Sequence, residues 1–139
     1  MPNYNIATQE LPDPTIGARQ RGAFNFIVSG QIAVAVGIGL QESCCPFKIT
    51  HVVVRRRKAG GTGGQTKIDI LMDGVSIWED DPDDRPVILQ SGGDNQRIVA
   101  VTPVLLNLAA DTSLSMSVLE IETGTAPEGL SVQAFGYRL

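Results

Sequence analysis

Three stretches of this chain alternate apolar and polar side chains residue by residue, and that period of two narrows its possible folds more than any other feature. Ile68, Ile70 and Met72 alternate with Lys67, Asp69 and Leu71, and Leu114, Met116 and Val118 alternate with Ser113, Ser115 and Ser117. Leu130, Val132 and Ala134 repeat the pattern. Successive side chains of a strand point to opposite faces, so this spacing buries one face of a sheet and argues against helices. The run from Ile32 to Leu40 reads the same way, with Ile32, Val34, Val36, Ile38 and Leu40 on one face and the small Ala33, Ala35, Gly37 and Gly39 on the other. That small face suits either close packing at an oligomer axis or a tight contact between strands.

Turn signals separate the runs: Asp73-Gly74, Ser91-Gly92-Gly93-Asp94-Asn95, and the glycines between Gly60 and Gly64. Asp73-Gly74 between two apolar segments predicts a tight hairpin. The segments 23–29, 31–40, 47–58, 66–72, 75–79, 86–90 with 96–101, 113–122 and 130–138 predict about eight strands. Leu105 to Ala110 is expected to form at most one helical turn. Short strands of this kind bury their apolar faces by packing two antiparallel sheets together, so the expected fold is an all-β sandwich of jelly-roll type.

The pattern begins at Gly22. Residues 1–21 hold three prolines and only isolated apolar side chains, and read as an extended N-terminal arm ahead of a domain spanning 22–139. With 42% hydrophobic and 19% charged residues the chain has material for one core. No apolar run approaches the length of a membrane-crossing helix, and the first residues lack the basic start and apolar stretch of a signal peptide. A net charge of −4 argues against nucleic acid as the main partner. Cys44 and Cys45 are adjacent, closer than disulfides normally span, and read as two reduced thiols. With no Asn-x-Ser/Thr sequon in the chain, they point to assembly in a reducing cytosol.

No candidate catalytic, metal or cofactor constellation emerges. GGTGGQTK, Gly60 to Lys67, lacks the spacing of a phosphate-binding loop and precedes a strand instead of a helix, so it reads as a hairpin tip. His51 is the only histidine and has no nucleophile at a recognisable spacing. The acidic run from Glu79 to Asp84 lacks the glycine and ligand spacing of a calcium loop, and reads first as a solvated, repulsive loop, with an opportunistic cation or a basic partner as the alternatives. The two thiols lack the further ligands of a soft-metal site. In Arg55-Arg56-Arg57-Lys58, alternation puts Arg55 and Arg57 on one face and Arg56 and Lys58 on the other. These residues read either as a strand end running into solvent or as an arginine pair, Arg55 and Arg57, facing an acidic partner.

In order, FIVSGQIAVAVGIGL, ITHVVVRRRKAGGTGGQTKIDILMDGVSIW, DRPVILQSGG, LAADTSLSMSV and GLSVQAFGY resemble a β-sandwich domain of tailed-bacteriophage virion proteins, found in capsid decoration (cement) proteins, head fibres and tail-fibre modules. The likeness spans about Phe24 to Tyr137, departing where a common Gly-Asp turn reads Ala110-Asp111 and at Cys44-Cys45. It implies a structural virion protein, made in the host cytoplasm and carried on the outer capsid surface. It also implies the major capsid protein as partner, a homotrimer, and no catalytic residues or cofactor. On that reading the arm grips the shell, with Pro2, Tyr4, Ile6, Leu11 and Ile16 as anchors and Arg19 and Arg21 as charge partners. Stretched out, such an arm reaches about 60 to 70 Å. The alternative is a fibre module binding a host glycan or protein, ranked second because aromatic residues make up only 5% of the chain.

Overall fold

The computed structural model describes residues 20–101 and 106–139. Ten strands occur in order: β1 (Arg21–Gln31), β2 (Ala35–Glu42), β3 (Phe47–Lys58), β4 (Gln65–Met72), β5 (Val75–Ser76), β6 (Val87–Leu89), β7 (Gln96–Val101), β8 (Asn107–Leu108), β9 (Ser113–Glu120) and β10 (Glu128–Arg138). The front sheet runs β1-β10-β3-β7, with β8 also on β3, and the back sheet runs β2-β9-β4-β5, with β6 also on β4. Every pairing is antiparallel. Because β7 and β8 share one place beside β3, and β5 and β6 share one beside β4, ten strands fill eight positions. Strand β1 pairs with β10, β2 with β9, β3 with β7 and β8, and β4 with β5 and β6. A chain doubled on itself and rolled up in this way is a jelly-roll sandwich.

Alternation builds the core as expected in three strands. Ile68 and Ile70 of β4, Leu114, Met116 and Val118 of β9, and Leu130, Val132 and Ala134 of β10 are each at most 1% exposed. Burial of each of the larger side chains is worth about 1.5–3 kcal/mol. Trp78, the only tryptophan, is buried in the same cluster. The Asp73-Gly74 hairpin forms as predicted: both residues have positive φ, +50° and +84°, the type I′ geometry that matches strand twist.

Strand β2 departs from the expectation. Its pairs with β9 are Ala35↔Val118, Ile38↔Met116 and Gln41↔Leu114, so three residues of β2 lie along every two of β9. Gly37 and Gly39, at φ +71° and +68°, allow the two bulges that absorb the extra residues. The period is therefore three. Ile38 packs on the core, while Val34, Val36 and Leu40 are 58%, 77% and 68% exposed, and no continuous face of small residues exists. Ile32 precedes the strand and is buried.

Two further differences share one cause, a crossover between sheets that residue patterns do not mark. Segments 86–90 and 96–101, counted as one strand, are β6 of the back sheet and β7 of the front sheet. Gly60 to Gly64 is no hairpin tip: β3 and β4 belong to different sheets, and the loop joining them packs on residues 122–125. A Cβ on Gly60 would lie 2.6 Å from that of Glu122, and one on Gly61 2.7 Å from the Thr125 nitrogen, so glycine serves close approach here. The described part of the expected helical turn is instead the short strand β8. The domain's first strand also starts at Arg21, one residue before Gly22.

Candidate functional site

Outward positions of the front sheet line up in rungs across four strands. Ile27 of β1 lies beside Ser131 of β10, Arg55 of β3 and Arg97 of β7; the next rung is Asn25, Gln133, Val53 and Val99. Beyond it, Ala23, Phe135 and His51 align, and Arg21 pairs with Tyr137. Since the inward residues Val52, Val54, Leu130 and Val132 are buried, these side chains point away from the back sheet.

The arginine end forms a groove of about 500 Å³ whose walls include Ile27, Ser29, Arg55, Arg57, Arg97 and Ser131. Arg55 Nη1 donates to Gln133 Oε1 at 2.9 Å, and Gln133 Nε2 donates to Asn25 Oδ1 at 2.9 Å, a relay that holds the guanidinium in place. Arg57, exposed, lies 3.5 Å from Glu128. Among the described residues neither Arg55 nor Arg97 has a carboxylate within ion-pair distance, although like charges face each other across adjacent strands. The other end is aromatic: His51 stacks on Phe135 with ring centroids 5.1 Å apart, and a hollow there is bordered by Arg21, Thr50 and Tyr137.

Arg56 belongs to the interior, not to the solvent. Both it and Glu122 are fully buried, 3.0 Å apart. Glu122 also accepts from the Thr66 hydroxyl and, at 2.9 Å, from the Gly60 N–H, while Arg56 donates to the carbonyls of Leu89 and Gly93. One ion pair thus ties β3 of the front sheet to β4 and three loops at one end of the sandwich. A buried pair of this kind holds only while its hydrogen bonds are satisfied, and it has no open side from which to act on a ligand.

Charge divides sharply between the sheets. Strand β3 carries Lys48, Arg55, Arg56, Arg57 and Lys58, and Arg21, Arg97 and Arg138 lie on β1, β7 and β10, yet Glu128 is the one carboxylate on the front-sheet strands. The loop from β5 to β6 holds Glu79, Asp80, Asp81, Asp83 and Asp84, all exposed. Elsewhere on the back sheet, Glu120 is engaged by Gln65 at 3.0 Å and Lys67 at 3.2 Å, which hold its carboxyl below the usual range. Asp69, nearly buried, lies 3.3 Å from Arg85 and accepts from Ser76.

Of the residues singled out in the sequence, Pro2, Tyr4, Ile6, Leu11, Ile16 and Arg19 lie outside the described residues. Arg21 opens β1 and is exposed. Arg55 and Arg57 share the outward face as alternation required, and the fold brings Arg97 beside them. Cys44 and Cys45 form no disulfide; the Cys44 thiol donates to the Cys45 sulfur at 3.5 Å, at a hollow that also includes Arg21, Glu42 and Arg138. Among the described residues no cluster of three or more His, Cys, Asp or Glu side chains is placed to hold a metal ion, and no helix is long and apolar enough to cross a membrane. No family model matches the chain, and no curated protein matches it.

Proposed function

We propose that this protein is a structural component of a tailed-bacteriophage virion, a decoration protein that binds the major capsid protein on the outside of the head and stabilises the shell as a homotrimer. The observation that carries the reading is where the sandwich puts its polar chemistry. Its inner ion pairs, the buried Arg56 with Glu122 and the half-buried Arg85 with Asp69, brace the frame, whereas Arg55 and Arg97, with no carboxylate in ion-pair reach among the described residues, face outward together on one sheet. A rigid frame with one charged outer face suits gripping a surface. The order of motifs resembling virion sandwich domains names the kind of surface. The work is binding, not catalysis, and the N-terminal residues 2–19 add anchors whose apolar side chains bury against the shell, offset by the cost of ordering them.

Two measurements test this. Reconstruction of the intact particle should show the chain distributed over the head surface, and density confined to a fibre or the tail refutes the assignment. A variant lacking residues 2–19 keeps Gln20, whose carbonyl accepts from the Arg138 N–H, and so keeps the end of the β1–β10 pairing. It should fold yet lose at least about tenfold in affinity for heads that lack the protein, about 1.4 kcal/mol. Unchanged binding removes the arm from the mechanism.

A second reading, a fibre module that binds a host glycan, is favoured by one observation. The His51–Phe135 stack with Tyr137 nearby gives the front sheet an aromatic hollow of the sort that sugar rings pack against. Loss of binding to host-cell glycans on Phe135→Ala, with particle location on a fibre, supports that reading over the first.

A further inference from the structure

Arg55 and Arg97 of the arginine groove and the five carboxylates of the acidic loop have no ion-pair partner among the described residues, and the two surfaces cannot serve each other. The groove points away from the back sheet, and the loop connects two back-sheet strands. We propose that copies of the protein join head to tail, the front-sheet arginine groove of one copy receiving the Glu79–Asp84 loop of the next. The inference rests on the self-association in the function proposed above and identifies the surfaces that perform it.

Both surfaces are prepared for the contact. On the groove side, Arg55 is held by Gln133, Arg97 faces it from the next strand, and exposed Ile27 and Val99 supply apolar area at the rim. An anion entering the groove is attracted by both arginines at once, because they stand opposite each other on adjacent strands. On the loop side, five carboxylates stand on a short turn rooted by the buried Trp78. Pro82 begins a single 3₁₀ turn, and the N–H groups of Asp81, Asp84 and Arg85 donate to the carbonyls of Trp78, Asp81 and Pro82. Its backbone is therefore largely ordered before contact, which lowers the entropic cost of association.

The one cation in the loop's own connection, Arg85, turns toward Asp69 and does not neutralise the loop. Among the described residues none of the five loop carboxylates makes an ion pair. Arginine is suited to the receiving side because its planar fork meets carboxylates with two parallel hydrogen bonds. A contact between two different patches is heterologous: it closes into a ring when the rotation between copies divides a full turn, and otherwise runs on as a chain.

Charge reversal in the full-length protein, followed by analytical ultracentrifugation, tests the pairing. At about 10 mM salt, where charges are screened over about 30 Å, the wild type should sediment at twice the monomer mass or more, and at about 1 M salt, with screening near 3 Å, as a monomer. The variant R55E/R97E and the variant D83K/D84K should each be monomeric at low salt, with dissociation constants raised at least tenfold. An equimolar mixture of the two should associate, because each now carries a surface complementary to the other, and the fourfold variant should associate by itself.

A monomeric wild type at low salt overturns the proposal, as does either single reversal retaining the wild-type mass. Failure of the mixture to associate also overturns it, given unchanged circular dichroism of both variants. A wild type that stays monomeric but retains single-stranded DNA through Arg55 and Arg97 shows that the groove takes phosphate, which also overturns it. Binding of the reversed variants to heads is scored separately. Loss of self-association with head binding intact leaves the decoration reading standing, and loss of head binding by a protein that still self-associates removes that reading alone.

Discussion

Replacing Glu122 by leucine should be among the most damaging single changes in the domain. The carboxylate accepts from Arg56, Thr66 and the Gly60 N–H, so its removal strands a buried guanidinium and two buried neutral donors together. Arg56 has no route to water, being fully buried, and its remaining acceptors are the carbonyls of Leu89 and Gly93. Breaking a buried pair by removing one partner costs about 3–5 kcal/mol. At roughly 4 °C per kcal/mol for a domain of this size, the melting temperature falls by about 12–20 °C.

Arg56→Leu should cost a similar amount, because Glu122 then becomes the uncompensated charge. The double variant removes both charges and leaves only neutral groups short of partners, so its cost should fall at least about 2 kcal/mol below the sum of the two singles. Urea unfolding followed by the fluorescence of the single buried Trp78 measures all three. Single variants that lose less than about 1 kcal/mol, or a cycle that is additive within about 0.5 kcal/mol, would refute the assignment of this pair as the brace between the sheets.

The three-residue repeat of β2 predicts that Val36→Asp changes stability by less than about 0.5 kcal/mol while Ile38→Asp costs at least about 2 kcal/mol. Equal costs in the same urea assay would restore strict alternation. Gly136→Ala should prevent folding or cost more than about 3 kcal/mol, since a Cβ there would sit 1.9 Å from the Lys48 carbonyl oxygen. Gly74→Ala, with open space around it but φ at +84°, should cost only about 1–2 kcal/mol of backbone strain, and comparing the two melting curves separates crowding from strain.

What could be read from residues alone was whatever a single strand determines by itself. Ile68 and Ile70 against Lys67 and Asp69, or Arg55 and Arg57 against Arg56, follow from the geometry of one extended chain, and the structure keeps them on the faces where alternation put them. The Asp73-Gly74 turn is equally local, because the two residues that can adopt positive φ adjoin each other. Strand β2 misled for a related reason: Gly37 and Gly39 fit an alternating pattern as small residues, and the same absence of a Cβ lets them bulge. The choice between these roles depends on β9, which lies far along the chain and sets a spacing that β2 must match.

Features made by two or more distant segments were hidden for the same reason. Arg97 follows a turn and looks like any exposed charge until β7 is paired with β3, which sets it opposite Arg55. Glu122 lies 66 residues from Arg56, and no spacing rule connects them. A trace of that pairing does remain, because the loop glycines Gly60 and Gly61 are where the backbone must come close to residues 122–125. Glycines clustered at the end of an arginine-bearing strand are therefore better read as making room for a neighbouring segment than as a flexible tip. Here that neighbour brings the carboxylate that the buried arginine requires.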